Sequence, residues 1–337
     1  MKIIIDAMGG DNAPGAMMRG AAQAVRELGV EIVAVGDEKK MREALEGTEY
    51  TLEGITLIQA SEVIDMHDDP TAAVRHKKDS SMVKALSMLA NGEGDAVVSA
   101  GSTGALLTGA TLIVKRMKGV KRAALGSVIP GAKKPYLLLD CGANVECRAD
   151  MLQQFGVMGA TYMEKVMAVK DPEVALVNNG AEETKGTPVY VEAHQLLKDS
   201  GLHFIGNIEP RDVPAGEADV VVADGFTGNV ILKLTEGLAK YLFGEIKGVF
   251  LKNVKTKLAY LMVKGGLKEF KKKMDADEYG GAPLLGIAKP VIKAHGSSGE
   301  KAFKNAVRQA KLCVESGMTE TMQKGLLAVK AAAREEE

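Results

Sequence analysis

Short apolar runs alternate with stretches of helical length along this chain, and most of the runs stop at an aspartate, serine or asparagine beside glycine. Ile3–Ile5, Glu31–Val35, Ile55–Ile58, Ala96–Ala100, Leu125–Ile129, Tyr136–Leu139, Val174–Val177, Phe204–Gly206, Val220–Ala223 and Val291–Ala294 read as strands. Most lack polar alternation, which suits a sheet covered on both faces. Between them, Met82, Leu86 and Leu89 recur at helical spacing. Helices are also predicted from Pro14 to Leu28, after Asp37, over 150–169, from about Pro188, over 230–242, over 300–316 and over 319–333. Ser80 or Ser81 is placed to cap one of them. Strand and helix in alternation predict an α/β fold with an open, mostly parallel sheet.

The junctions carry the chemistry. Asp6-Ala-Met-Gly-Gly-Asp11 links the first strand to the first helix, and Gly9 and Gly10 permit a backbone path closed to bulkier residues. It is neither a Gly-x-Gly-x-x-Gly fingerprint nor a Walker loop, so nucleotide binding is not supported. Similar turns follow at Ser99-Ala-Gly-Ser-Thr-Gly-Ala105, Asp140-Cys-Gly-Ala-Asn144, Asn178 to Gly186, Asp224-Gly-Phe-Thr-Gly-Asn229 and His295-Gly-Ser-Ser298. If the strands run parallel, their carboxyl ends share one edge and these turns converge on one crevice. The crevice would then hold Gly101, Ser102, Thr103, Gly104, Asn144, Asn178, Lys185, Gly225, Asn229 and His295, with Asp6, Asp11 and Asp224 around them. Each has an ordinary structural reading as well: serines as caps, Lys185 as a surface lysine, His295 as a satisfied core side chain, Cys141 as a small buried thiol.

Composition narrows the class. Lysine and arginine total 43 against 44 acidic residues in 337, so no global basic surface points to nucleic acid. Three cysteines without Cys-x-x-Cys spacing argue for a reducing compartment and against structural zinc. No apolar run reaches the ~20 residues of a membrane span, and the chain enters a strand at once, so the expectation is a cytosolic protein with no metal or cofactor.

One stretch departs from the pattern. Lys247 to Lys273 holds nine lysines and one acid, Glu269, around Leu258-Ala-Tyr-Leu-Met-Val263. With the stripe Leu238, Leu242, Ile246 and Val249 leading in and Gly265-Gly266 as a break, it reads as a helical hairpin over 238–275 projecting from a single unit of 1–337. Leu258, Leu261, Met262 and Val263 suit shallow insertion into an anionic membrane surface, or a subunit contact with a solvated basic rim.

Five of these motifs, those at Asp6, Ser99, Leu139, Asp224 and His295, occur in order over nearly the whole chain and together resemble the PlsX family of bacterial acyltransferases. One departure is Ser102, where the family pattern more often has Asn. The resemblance implies transfer of an acyl group from acyl-acyl-carrier-protein to inorganic phosphate at the start of phospholipid synthesis. It further implies a three-layer α/β/α fold similar to isopropylmalate dehydrogenase and phosphate acetyltransferase, a homodimer, reversible association with the inner face of the cell membrane, and a glycerol-3-phosphate acyltransferase in the same pathway. On that reading Lys185 and the turns at Gly9-Gly10 and Ser99–Gly104 hold phosphate, and Asn229 and His295 orient it or stabilise the oxyanion. An acyl-coenzyme A:phosphate transferase, a metal- and NAD-dependent dehydrogenase and a non-catalytic membrane assembly protein stay open beside it.

Overall fold

The computed structural model describes residues 1–274 and 278–335, with side chains described to 329. The expected hairpin limit at Asp275 and the last two residues lie outside that description. In chain order the elements are β1 (Lys2–Asp6), α1 (Gly15–Leu28), β2 (Glu31–Gly36), α2 (Glu38–Glu43), β3 (Ile55–Gln59), α3 (Pro70–His76), α4 (Ser81–Ala90), β4 (Ala96–Ser99), α5 (Thr103–Gly109), β5 (Ala124–Ile129), β6 (Tyr136–Leu139) and α6 (Ala149–Lys165). Then come β7 (Val174–Val177), α7 (Pro188–Lys198), β8 (Phe204–Ile208), β9 (Val220–Val222), α8 (Gly225–Leu251), α9 (Val254–Lys273), β10 (Ala282–Leu285), β11 (Val291–Lys293), α10 (Glu300–Glu315) and α11 (Met318–Glu335).

All the strands join one sheet in the order β3-β2-β1-β4-β11-β10-β5-β6-β9-β7-β8. Its faces are covered by different helices, because successive residues of each strand point to opposite sides. Ile3 and Ile5 enter the core under α1 and α10, while Ile4 enters the other beside α4. Leu137 and Leu139 divide from Tyr136 and Leu138 in the same way. Each isoleucine of β1 is 0% exposed, worth roughly 1.5–3 kcal/mol apiece relative to solvent. The result is the α/β/α arrangement, with both apolar layers running across the whole sheet.

The sheet is mostly parallel, as expected, but its parallel strands do not all point the same way. β3, β2, β1, β4 and β11 are mutually parallel, and so are β6, β9, β7 and β8. Between the two sets β10 is antiparallel to both β11 and β5, and β5 is antiparallel to β6. The two sets therefore run in opposite directions, and their turns do not share one edge. The reversal is local: the β5–β6 connection spans only 130–135, too short for the crossover that a parallel pair needs.

Two further elements differ from the sequence reading. Tyr279 to Gly286, read as a flexible glycine segment, contains β10, which pairs with β11 through Ala282 and Pro283 and with β5 through Leu284 and Leu285. Gly265-Gly266 does not break a helix, since α9 is continuous from Val254 to Lys273. Phe243 stacks near Phe270 and Phe250 near Tyr260, a falling register that makes α8 and α9 an antiparallel pair. Nothing on α9 is buried. Among the described residues no helix is long and apolar enough to cross a membrane.

Candidate active site

The change of partner along β10 opens the main cleft. Beyond Leu125, β5 continues beside β6, whereas the start of β10 turns away to pair with β11. The space between them, about 350 Å³, is lined by Ser127 and Val128 on one side and Gly280 to Ala282 on the other. Thr103, Asn229 and His295 also line it, so turns from both sets of strands do meet, at the sheet centre instead of along an edge.

One wall is built from the turns after β4 and β11, with the turn after β1 packed behind them. Asp6, 1% exposed, accepts a hydrogen bond from the Ser99 hydroxyl at 2.7 Å and one from the Met8 amide at 3.3 Å. Burial pushes its carboxyl up, and these bonds oppose the rise. A Cβ on Gly9 would lie 2.6 Å from both Asp6 Oδ2 and the Gly101 amide nitrogen, so only glycine lets the two turns pack together. Gly10, at φ +101°, carries the chain past Ala100 to Asp11, whose amide donates to the Gly296 carbonyl at 2.8 Å. The Asn12 side chain donates to the carbonyls of Ser297 and Ser298. Three distant turns are thereby fixed to one another.

His295 itself is exposed, and its Nδ1 accepts the Ser297 amide at 3.2 Å. An accepting Nδ1 leaves the ring proton of the neutral imidazole on Nε2. Ser102 Oγ accepts the Ala105 amide and caps α5, while Gly104 packs against Pro70; of this turn Thr103 is the residue that reaches the cleft.

The second wall uses the same device. Asp140, 0% exposed, accepts from the amides of Leu125, Gly142 and Ala143 through Oδ1, and from both nitrogens of Asn144 through Oδ2. Asn144 also donates to the Ala123 carbonyl, and its own carbonyl accepts the Gly225 amide at 2.7 Å. A Cβ on Gly228 would come within 1.9 Å of the Asp140 carbonyl oxygen, so α8 can rest here only on glycine. Asp224 caps α8 through the Thr227 amide and accepts the Tyr190 hydroxyl at 2.5 Å. Asn229, one turn on, faces the cleft beside Gly142.

Several expected residues lie elsewhere, Asn144 among them, which borders a neighbouring cavity and not the cleft. Asn178 is buried, donates to the Lys185 carbonyl and borders a separate cavity with Gly186 and Tyr190. Lys185 is exposed and does not line the cleft. Cys141 lines it, but burial pushes the thiol far up and Sγ donates to the Leu138 carbonyl, so it is a neutral packing group and not a nucleophile.

A lysine missed in the sequence takes the central place. Lys293, at the end of β11, is 8% exposed and lines the cleft. Its Nζ donates to the carbonyls of Ala100 and Ala294, which leaves one of three N–H groups without a partner among the described residues. No carboxylate among the described residues is within ion-pair distance of it. Burial holds its pKa down at about 8, against the upward pull of Asp6 and Asp11. The signal was a charge inside the apolar run Val291-Ile-Lys-Ala294. Lys233 and Glu236, paired at 2.8 Å on α8, face it across the cleft. Among the described residues no cluster of His, Cys, Asp or Glu is arranged to hold a metal ion.

Comparison with known proteins bears on this arrangement. Residues 1–321 match the model of a family described as "Fatty acid synthesis protein". The "Phosphate acyltransferase" of Clostridium botulinum (strain Loch Maree / Type A3) is 48% identical over 327 residues, 97% of this chain and 98% of that protein. This chain belongs to the PlsX family. The family's phosphate acyltransferase of Alkaliphilus oremlandii is 49% identical over 326 residues, 97% of each chain. Among solved structures, a phosphotransacetylase from Streptococcus pyogenes shares the fold at a TM-score of 0.67 and 19% identity, covering 94% of both chains. The motifs at Ser99, Leu139, Asp224 and His295 each supply residues that line the cleft, and the motif at Asp6 braces the first wall from behind.

Proposed function

We propose that this protein transfers a fatty acyl group from acyl-acyl-carrier-protein to inorganic phosphate, giving acyl phosphate for phospholipid synthesis. The observation that carries this reading is the match, over nearly the full length, to proteins named phosphate acyltransferase. The cleft supplies chemistry suited to it. Phosphate is already largely a dianion at neutral pH, and a thiolate of pKa about 8.5 leaves readily, so neither a strong base nor a strong acid is required. A phosphate oxygen attacks the thioester carbonyl carbon, the tetrahedral oxyanion collapses, the C–S bond breaks, and the proton of HPO₄²⁻ ends on the departing thiol. The protein's work is positioning, exclusion of water and hydrogen bonding to developing charge.

In this scheme Lys293 holds phosphate against the turns at Gly9-Gly10 and Ser99–Gly104. The Asn229 amide and the Nε2–H of His295 serve the oxyanion. Asp6 and Asp140 face their own loop amides and hydroxyls, which keeps two carboxylates from opposing the dianion. Lys185 enters only if its loop folds over the bound donor.

The α8–α9 pair suggests where the product goes. Leu258, Leu261, Met262 and Val263 are 59, 65, 89 and 44% exposed, among lysines on the same helix. An apolar face of that size on an anion-attracting element fits reversible seating on an anionic membrane, with the α8 stripe pairing two subunits. Acyl phosphate, a lipid-tailed product, would then leave at the surface where a glycerol-3-phosphate acyltransferase consumes it.

The test incubates purified protein with phosphate and either acyl-acyl-carrier-protein or acyl-coenzyme A, and traps acyl phosphate as hydroxamate. Phosphate-dependent hydroxamate formed faster from the carrier-protein donor is the expected result. Preference for the coenzyme A donor would favour the phosphotransacetylase-like alternative, and no phosphate-dependent product from either donor would sink both.

A further inference from the structure

A second cavity, of about 270 Å³, lies behind the cleft and is lined by three arginines, Arg75, Arg116 and Arg122. They come from two places, the last turn of α3 and the 115–122 connection before β5. Among the described residues no aspartate or glutamate lines the cavity. Arg75 and Arg122 donate no hydrogen bond and form no ion pair among the described residues, and Arg116 donates to the Lys121 carbonyl. The hydroxyls of Thr71, Thr108 and Thr111 also line it, with no side-chain partner among the described residues. All three arginines are exposed, and like charges gathered around one hollow attract an anion to it. Planar, five-donor forks beside free hydroxyls match the oxygens of a phosphate ester.

The cavity adjoins the cleft. α5 lines both, with Thr103 in the cleft and Thr108 in the cavity, about 7.5 Å apart at helical rise. The turn after β6 divides them, Cys141 and Gly142 on one side and Ala143 and Asn144 on the other. We infer that the arginine cavity is a second anion site, which binds the phosphate ester of the acyl donor's pantetheine arm while the thioester at its far end enters the cleft. This rests on the acyl-transfer reading above, since it names how that donor is held. Acyl-carrier-protein and acyl-coenzyme A carry the same phosphopantetheine chemistry, so the site is common to both. Nucleophilic phosphate is left to Lys293.

The experiment compares wild type with the double variant Arg75→Gln/Arg122→Gln, whose replaced side chains make no bond that the fold relies on. Binding of free 4′-phosphopantetheine is measured calorimetrically, and turnover is measured with acyl-4′-phosphopantetheine, acyl-pantetheine lacking the phosphate, and acyl-acyl-carrier-protein. The account expects phosphopantetheine affinity to fall about tenfold or more. The donor KM should rise as much for both phosphate-bearing donors, with kcat, the KM for inorganic phosphate and all acyl-pantetheine kinetics unchanged. Arg75→Lys/Arg122→Lys should recover part of the loss. A raised KM for inorganic phosphate, an equal loss with acyl-pantetheine, or a loss confined to the carrier-protein donor would each overturn the assignment. The last would mean that the arginines read a protein surface. If wild type binds phosphopantetheine through these arginines yet transfers no acyl group, the function falls and the site stands; transfer with binding indifferent to them is the converse.

Discussion

The base and the far end of α8 belong to one helix but to two different environments. At the base, Gly225, Gly228 and Ile231 are buried, and the backbone meets the Asp140 turn at a distance that excludes a methyl group. Further along, Leu238, Tyr241, Val249 and Leu251 are 51, 61, 62 and 54% exposed, and the partner helix α9 buries nothing. The cleft is held by buried carboxylates that each bind several loop donors, so its geometry is fixed before any substrate arrives. The hairpin is held by its own hydrogen bonds, two ring contacts and little else, with an apolar face that water does not favour. On the reading proposed above, the first region serves chemistry and the second a surface, and changes in one should leave the other's property intact.

The sharpest break of that contrast is Gly228→Ala. With a methyl forced against the Asp140 carbonyl, stability should fall by about 3 kcal/mol in a denaturant titration. Unchanged stability would mean that the second wall yields. Next in size, Lys293→Met should lower kcat/KM for phosphate about a hundredfold, with vesicle binding unaffected. Because Lys293 has its pKa near 8, wild-type kcat/KM for phosphate should be highest where phosphate is a dianion and the ammonium is still protonated, and should fall as pH rises through about 8. Asp6 and Asp11 favour the charged form and Lys233 opposes it, so a flat profile to pH 10 would remove the ammonium from the account.

In the hairpin, Leu258→Asp/Leu261→Asp should reduce binding to anionic vesicles about tenfold or more in a co-sedimentation assay while soluble turnover stays at wild-type level. Retained binding would contradict the membrane assignment. The smallest effect is a gain. A Cβ on Gly265 meets nothing within 4 Å, and helix propensity alone predicts that Gly265→Ala raises stability by about 0.5–1 kcal/mol. A glycine substitution that destabilises at 228 and stabilises at 265 would place the two environments on one scale.

Local features were legible in the sequence wherever one side chain decides the outcome. Asp37 and Ser80 cap the helices that follow them, and the β-branched or aliphatic runs form strands within a residue or two of their expected limits, whereas α8 begins at Gly225 under an Asp224 cap, ahead of the helix expected from Val230. What the sequence hid was set by partners far away. Direction in the second half follows from the short β5–β6 connection, whose length alone rules out a parallel crossover, yet apolar runs carry no arrow. β10 was masked by its flanking glycines and by Pro283, a residue that a central strand rarely holds. α9 keeps Gly265 and Gly266 because both stand in open space, where a helix bears their entropy without a steric penalty.

The candidate site divides in the same way. Its motif residues were visible as motifs, but their distribution was not. Asp6, Ser99, Gly9 and Gly101 are bonded or packed into a scaffold, while Thr103, Asn229 and His295 reach the cleft. Lys185 was favoured because it follows a strand, whereas the lysines that line the cleft are Lys293, inside a strand, and Lys233, on a helix. A buried cation's role depends on which carboxylates fail to approach it, and sequence spacing does not report that.

On the proposed reading phosphate sits in the cleft at the sheet centre, with Lys293 at its floor. A crystal structure of the protein soaked in phosphate tests it directly. The account predicts density for the anion in contact with Lys293 Nζ and within reach of Thr103, Asn229 and His295, lost in Lys293→Met under the same conditions. Phosphate bound against Lys185 with the cleft empty, or bound unchanged in the Lys293→Met protein, would contradict it.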